Sequence, residues 1–347
     1  MEKSSPKKHF RVVLIVSCII LACIVVAMTG LAVYVNYLYN RMEYVDQDTT
    51  LSPEEAASIM RQEAEKIDPD STETLPDEND IAIQDEYVYQ EGQGSHIVNI
   101  MLVGQDAREG ESVQRSDTMI LVTFNRKTRT ITLTSLMRDQ YVKIPGYGST
   151  KLNHAYKYGG MSLMNKTLSN HFGIEVDGNF EVDFTGFEKI IDRLGGVEID
   201  LTEEEADYLK EKGFKNVKVG KNILEGESAL WYARLRSIDT DYARAERQRN
   251  VMISLFEAYK ELSYPQMLSL LHDILPLVRT NMTISEITGY AMQLYPMLTG
   301  AEVDTLRIPM DGTFKEGYVK VCEGKKLWCQ YNIDFEANRK ELEKVFE

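Results

Sequence analysis

Five arginines and no lysine lie within residues 232–249, the stretch "YARLRSIDTDYARAERQR". This concentration is unexpected because the whole chain carries a formal net charge of −15. A guanidinium group is planar and offers paired donors, which suits phosphate oxygens better than a lysine ammonium does. The stretch therefore indicates a site for a small anionic group, with an ion-pair network to Asp239, Asp241 and Glu246 as the alternative. The five are Arg234, Arg236, Arg244, Arg247 and Arg249.

The spacing of these arginines predicts which of them lie together. Arg234 and Arg236 are two residues apart, so in an extended segment they point to one face. Arg244 and Arg247 are three apart, which places both on one face of a helix. We expect Arg249 to matter least.

Three more pairs of arginine and aspartate follow or precede predicted strands, in "VGQDAR", "QRSDT" and "SLMRDQ". Loops at strand ends are where ligands bind in layered α/β domains. A solvated loop charge is the alternative for any one pair, but three such pairs favour a common site. The pairs are Asp106 with Arg108, Arg115 with Asp117, and Arg138 with Asp139.

The elements that would position these residues alternate between strand and helix. "HIVNIMLVG" is almost continuously apolar, as in a strand covered on both faces, and "TMILVTF" with "RTITLTSL" predicts a hairpin. "SLMNKTLSNHF" and "FTGFEKIIDRLGG" are typical of helices, the second closed by two glycines. The expected fold class is α/β: a layered α/β/α domain around a mixed central sheet, with an N-terminal transmembrane helix.

The N-terminal region predicts a membrane anchor. Residues 12–40 contain no charge, and the 23 residues from Val12 to Tyr34 can cross a hydrocarbon core of about 30 Å. Basic residues precede this run and acidic ones follow it, so the N-terminus should stay inside the cell. Ser52 and Glu55 form a capping box for one stalk helix. The expected division is a cytoplasmic tail 1–11, an anchor 12–35, an acidic stalk 36–95 and an extracellular catalytic domain 96–347.

Cys322 and Cys329 lie in "VCEGKKLWC", which predicts two short strands joined by a turn. Outside the cell they can form a disulfide across that hairpin, with two free thiols as the alternative.

Several common chemistries are excluded. The sequence has no G-x-x-x-x-G-K-[ST], G-x-S-x-G or H-E-x-x-H motif, and its five histidines lack metal-ligand spacing. We expect His154 to be a hydrogen-bonded structural residue. The acidic balance argues against nucleic acid as a partner, because that needs a broad basic surface.

These motifs resemble the LytR-CpsA-Psr family of Gram-positive envelopes. The resemblance is carried by "VGQDAR", "QRSDTMILVTFN", "LTSLMRDQYVKIPGYGSTKLNHAYKYGG", "FTGFEKIIDRLGGVEIDL" and "ALWYARLRSIDTDYARAERQR". It implies a magnesium-dependent phosphotransferase at the cell membrane. Such an enzyme moves a glycopolymer, of the teichoic acid or capsular polysaccharide type, from a polyprenyl-pyrophosphate carrier to peptidoglycan.

The resemblance also implies roles for individual residues. Asp106 and Asp117 look like the magnesium ligands, two carboxylates that fit this ion beside a substrate phosphate. Asp241 looks like the general base, acting with Arg115 and Arg138. The residues that look like the pyrophosphate site are Arg115, Arg138, Arg234, Arg236 and Gln248, and Arg108, Arg244 and Arg247 match further positions of the family.

Two other functions remain open at this point. A pyrophosphate-lipid hydrolase would use the same residues with water as the acceptor. A transcriptional attenuator is the second alternative, although a predicted external domain and the lack of a recognisable helix-turn-helix argue against it. The sequence does not identify the glycopolymer or the oligomeric state.

Overall fold

A computed structural model describes most of the chain. The described residues are 33–34, 36–37, 40–41, 43–45, 50–65, 81, 93–106, 115–298, 300–321 and 326–347. The predicted anchor at 12–35 lies outside them except for Val33 and Tyr34. Within the described part of the chain, no helix is long and apolar enough to cross a membrane.

A seven-stranded mixed sheet forms the centre of the domain, in the order β1-β10-β7-β2-β3-β4-β11. Strands β2, β3 and β4 are antiparallel neighbours, whereas β7 runs parallel to β2 and β11 parallel to β4. The predicted mixed α/β fold and the β3–β4 hairpin are therefore confirmed. The strands of this sheet are β1 Glu43–Tyr44, β2 Ile97–Asp106, β3 Arg115–Asn125, β4 Thr130–Leu136, β7 Gly178–Val182, β10 Arg279–Thr280 and β11 Glu302–Ile308. Three two-stranded sheets are formed by β5 Tyr141–Ile144 with β6 Gly148–Lys151, β8 Val197–Leu201 with β9 Gly220–Leu224, and β12 Lys315–Lys320 with β13 Lys326–Tyr331.

Helices cover both faces of the central sheet. The helices are α1 Pro53–Glu65, α2 Asn153–Phe172, α3 Phe184–Leu194, α4 Glu203–Glu211, α5 Gly226–Arg234, α6 Asp241–Lys260, α7 Tyr264–Ile274, α8 Ile284–Leu298 and α9 Phe335–Phe346. Alternate residues of β2 face opposite sides, as strand geometry requires. Met101 packs with α2 and α9 in one apolar cluster, whereas Ile100 packs with α6 and α8 in another. A third cluster joins α3, α4, α5, β8 and β9 against Val251 of α6.

The strand directions bring several chain segments to one end of the sheet. Because β3 is antiparallel to β2 and β4, the ends of β2 and β4 lie beside the start of β3. The ends of β7 and β11 join them, since these strands run parallel to β2 and β4. We call this end of the sheet, marked by Asp106, Arg115, Leu136, Val182 and Ile308, the site end.

Local signals in the sequence agree with the helix boundaries in most places. The Ser52 hydroxyl accepts from the Glu55 amide at 3.2 Å, and the Ser52 amide donates to the Glu55 carboxylate at 2.8 Å, so the capping box is confirmed. Helix α3 ends at Gly195, whose φ of 85° suits glycine. Helix α2 begins earlier than the sequence predicts, and residues 159 and 160 leave helical geometry within it.

Candidate functional site

One carboxylate at the site end holds three arginines. Asp241 is the first residue of α6, and its Oδ2 accepts from Nη2 of Arg138 at 3.1 Å. Its Oδ1 lies 3.2 Å from Nη1 of Arg244 and 3.8 Å from Nε of Arg236. The Asp241 side chain is 29% exposed. Of the arginines expected at the pyrophosphate site, Arg138 and Arg236 therefore meet at Asp241.

A second carboxylate, that of Asp139, holds Arg138 in position. Asp139 is buried, and it accepts from Nζ of Lys151 at 2.6 Å and from Nε of Arg138 at 3.3 Å. Burial raises the pKa of Asp139, but the charges of Lys151 and Arg138 outweigh burial and leave the pKa below its ordinary value. Asp139 therefore stays ionised and fixes Arg138 where the loop leaves β4.

The role expected for Arg247 needs correction. Its side chain is only 4% exposed, and it donates to Glu205 at 2.7 Å, to the carbonyl oxygen of Leu235 at 3.1 Å, and to Asp239. The ion-pair alternative is therefore realised at Arg247. Its two carboxylate partners tie α6 to α4 and to the loop that carries Arg236, so Arg247 positions that loop.

The expected extended segment from Arg234 to Arg236 is wrong, because α5 continues to Arg234. The exposed Arg234 guanidinium stacks over the Phe184 ring, with 4.2 Å between Cζ and the ring centroid. The half-buried Gln248 donates to the carbonyl oxygen of Ala233 at 3.4 Å. Arg236 follows two residues after the end of α5, and its Nε lies 3.8 Å from Oδ1 of Asp241.

Arg249 lies further along α6. It donates to the Ser135 hydroxyl at 2.8 Å, and burial followed by the charge of Arg307 lowers its pKa, while Glu246 opposes this. This contact ties α6 to β4. We call Asp241 and the three arginines that it holds, Arg138, Arg236 and Arg244, the arginine centre.

For three of the remaining predicted site residues, Asp106, Arg115 and Asp117, the structure describes the backbone alone. Asp106 pairs with Arg115 across β2 and β3, and Asp117 lies in the register irregularity next to Gly104. The two predicted magnesium ligands therefore belong to the same pair of strand ends. Arg108 lies outside the described residues. Within the described residues, no group of three or more His, Cys, Asp and Glu side chains is suited to a metal.

The predicted disulfide stays a prediction. Cys329 is buried in β13, whereas Cys322 lies outside the described residues. His154 is structural as expected: it is buried and lies within hydrogen-bond distance of Thr150 at 2.8 Å and of Glu63 at 2.8 Å.

An apolar cavity of about 360 Å³ lies between the sheet and helices α6 and α8. Sequence reasoning missed this cavity. Period-two alternation in the strands was the available signal, since Leu102, Val122 and Leu133 line it from three neighbouring strands. This alternation identifies the side chains that share one face of the sheet. It does not show that a space is left between that face and the helices.

Helix α6 and strand β4 connect the cavity to the arginine centre. On α6, Asp241 holds the arginines, Arg249 contacts Ser135, and Met252 lines the cavity. At about 1.5 Å per residue, Asp241 and Met252 are roughly 16 Å apart along the helix. On β4, Leu133 lines the cavity and Ser135 lies two residues nearer the site end. This arrangement suits a molecule with an apolar tail and an anionic head.

The family model of the LytR_cpsA_psr family matches residues 55–334. The chain belongs to this family. A Bacillus subtilis member, the polyisoprenyl-teichoic acid–peptidoglycan teichoic acid transferase TagT, is 37% identical over 59% of this chain and 65% of its own length. The chain thus spans just under two thirds of that relative. The Enterococcus faecalis transferase TagU is 36% identical over 70% of this chain and 80% of its own length.

Solved structures of LytR_cpsA_psr proteins share the fold. TagT bound to LIIa-WTA is 28% identical, with a TM-score of 0.58 over 76% of this chain and 96% of that chain. TagT with bound octaprenyl pyrophosphate lipid is 27% identical, with a TM-score of 0.55 over the same shares of the two chains.

Proposed function

We propose that this protein transfers a glycopolymer from a polyprenyl-pyrophosphate carrier to peptidoglycan, forming a phosphodiester. The observation that carries this proposal is an apolar cavity bordered by the same helix, α6, that carries Asp241 and the arginines grouped around it. Relatives named as polyisoprenyl-teichoic acid–peptidoglycan teichoic acid transferases support it, as does the related structure with octaprenyl pyrophosphate lipid. The polymer is of the teichoic acid or capsular type.

The carrier's two halves match the two parts of the site. A polyprenyl chain is wholly apolar, and the cavity walls are aliphatic and aromatic side chains. Burying such a chain is favourable by roughly 25 cal/mol for each Å² removed from water. The pyrophosphate then lies at the site end, where Arg138 and Arg236 present guanidinium donors.

Asp241 gives these arginines a partner that a pyrophosphate can replace. A pyrophosphate carries more charge than one carboxylate and accepts paired guanidinium bonds, so it competes for Arg138 and Arg236. Its binding releases the Asp241 carboxylate from these two arginines. The freed carboxylate is then the candidate base for an acceptor hydroxyl.

The proposed reaction is a phosphoryl transfer, in which one bond to phosphorus forms and another breaks. The acceptor hydroxyl oxygen attacks the phosphorus that carries the polymer, and the bond from that phosphorus to the bridging pyrophosphate oxygen breaks. Polyprenyl phosphate leaves, and the hydroxyl proton passes to Asp241. Arginine charge stabilises the leaving phosphate, as this reaction class requires.

The proposed magnesium ligands are the carboxylates of Asp106 and Asp117. These residues belong to neighbouring strand ends, and magnesium takes one or two protein carboxylates together with substrate phosphate. When bound, the ion would neutralise charge on the pyrophosphate. Arg115 pairs with Asp106 in the backbone ladder and is the candidate to reach the same phosphates.

The lipid carrier also accounts for the proposed location. A single anchor at residues 12–35, with the catalytic domain outside the cell, keeps the site beside a donor that stays in the bilayer.

The test is transfer by the full-length protein in neutral detergent, with a lipid-linked polymer donor and peptidoglycan. We expect a polymer–peptidoglycan phosphodiester together with polyprenyl phosphate, and little donor turnover without peptidoglycan. Equal donor turnover with and without peptidoglycan would identify a hydrolase instead.

A further inference from the structure

A group of lysines stands out on the surface of this acidic protein. Between residues 210 and 221 there are five lysines and one acidic residue, Glu211. All five lysines are exposed. Two have carboxylate partners, since Lys210 pairs with Asp207 and Lys221 pairs with Glu198. The other three are Lys212, Lys215 and Lys218.

Aromatic rings lie among these lysines. Nζ of Lys212 is 5.1 Å from the ring centroid of Tyr208 and 5.1 Å from that of Trp231. The two rings are 6.4 Å apart and partly exposed. Lys215 and Lys218 continue from this pair into the loop before β9, and their ammonium groups have no ion-pair partner among the described residues. We call Tyr208, Trp231, Lys212, Lys215 and Lys218 the lysine surface.

Helix α5 and the residues directly after it join the lysine surface to the arginine centre along the chain. Trp231 and Arg234 are three residues apart on α5 and so lie on the same face of that helix. The charges of Arg234 and Arg247 reach Tyr208, where they oppose the increase in pKa that burial causes. Along the chain, Arg234 and Arg236 therefore form a path of positive charge from Trp231 of the lysine surface to Asp241.

We propose that the lysine surface binds the polymer portion of the donor, and that this polymer carries phosphodiesters in its repeat. The inference rests on the proposed function, because the path begins where the pyrophosphate is placed. Lysines match negative charge along the chain, while partly exposed aromatic rings can contact sugar or polyol units. A neutral polysaccharide would leave the ammonium groups of Lys215 and Lys218 without partners.

A membrane surface is the other polyanion that these lysines could meet. Val219 and Ile223 are 58% and 62% exposed beside them, and aliphatic side chains among lysines also suit a bilayer. The polymer is favoured because the surface joins the reaction centre through Trp231 and Arg234. Binding to vesicles of anionic phospholipid is therefore measured alongside transfer.

The test compares donors that share one lipid and one pyrophosphate. The first carries a long phosphodiester polymer, the second only the first disaccharide, and the third a long neutral polysaccharide. The full-length variant is Lys215→Glu/Lys218→Glu, and its control is Lys143→Glu/Lys166→Glu, which reverses two exposed lysines on β5 and α2. The measured quantity is kcat/KM for transfer to peptidoglycan.

We expect the lysine-surface variant to lose about tenfold in kcat/KM with the phosphodiester polymer. An exposed lysine–anion pair is worth a factor of roughly two to five, and reversal adds repulsion. Its rates with the short donor and the neutral donor should match wild type. The control variant should match wild type with every donor. Rising salt should reduce the wild-type advantage, because exposed charge pairs are screened.

The outcomes separate this inference from the function it extends. If wild type transfers no donor, the proposed function fails. If wild type transfers donors but the lysine-surface variant loses equally with all three, or with none, only the inference fails. It also fails if the variant loses binding to vesicles of anionic phospholipid but keeps transfer of the long phosphodiester polymer, because the surface is then a membrane contact.

Discussion

Replacing Arg247 by methionine should unfold the protein at a lower temperature without removing a substrate contact. The arginine and its partner Glu205 are 4% and 10% exposed, so the change leaves a buried carboxylate without its cation. Breaking such a pair by removing one partner costs about 3–5 kcal/mol. For a domain of this size each kcal/mol lowers Tm by about 2–4 °C, so we expect a decrease of roughly 6–20 °C.

The assay is thermal unfolding, followed by circular dichroism, alongside donor binding at a temperature where the variant is folded. Glu205 also accepts from the Thr202 amide at 3.0 Å as part of a capping box. Glutamine can keep that bond, so Arg247→Met/Glu205→Gln should recover part of the lost Tm. An unchanged Tm with lost pyrophosphate binding would refute this reasoning and return Arg247 to the list of ligands.

Three more predictions test separate parts of the site. The pKa of Asp139 lies below its ordinary 3.8, so its contribution to stability is full above that pH and lost as pH falls through the folded pKa. Unfolding free energies of wild type and Asp139→Asn should therefore converge below pH 3.8, and a gap independent of pH would contradict this. Leu133→Trp should fill part of the cavity and raise KM roughly tenfold for long polyprenyl donors but little for short ones; equal effects on both would argue against a lipid cavity. Chelation should abolish transfer, with recovery on adding magnesium, and Asp106→Asn should remove that response; transfer that continues in chelator would exclude the proposed ion.

Local sequence signals predicted much of the fold because they report nearby interactions. The capping box at Ser52, the glycine closing α3 and the β3–β4 hairpin each depend on residues a few positions apart. The start of α2 was missed. The glycine pair in "NHAYKYGG" favours a break in a helix, but in the structure helical residues lie on both sides of that pair. Helix α5 reaches Arg234 because it packs in the cluster with α3 and β8, which spacing alone does not show.

The candidate site was predicted in its chemistry more than in its contacts. Arg138 and Arg236 do meet at Asp241, since strand direction brings distant loops to one end of the sheet. The main partner of Arg247 was missed, because Glu205 lies 42 residues away on another helix. Lys151, the partner of Asp139, was missed because the two residues are brought together by the β5–β6 hairpin that lies between them in the sequence.

The cavity could not be predicted, because it is a space between elements rather than a property of any one of them. Its lining residues look like ordinary core in the sequence.

A structure of the protein with a polyprenyl pyrophosphate lipid would show whether the cavity and the arginines form one binding site. We expect the polyprenyl chain between the sheet and helices α6 and α8, beside Leu133 and Met252, with the pyrophosphate contacting Arg138 and Arg236. Asp241 should then be released from those two arginines. A lipid chain outside this cavity, or a pyrophosphate away from both arginines with Asp241 still holding them, would contradict it.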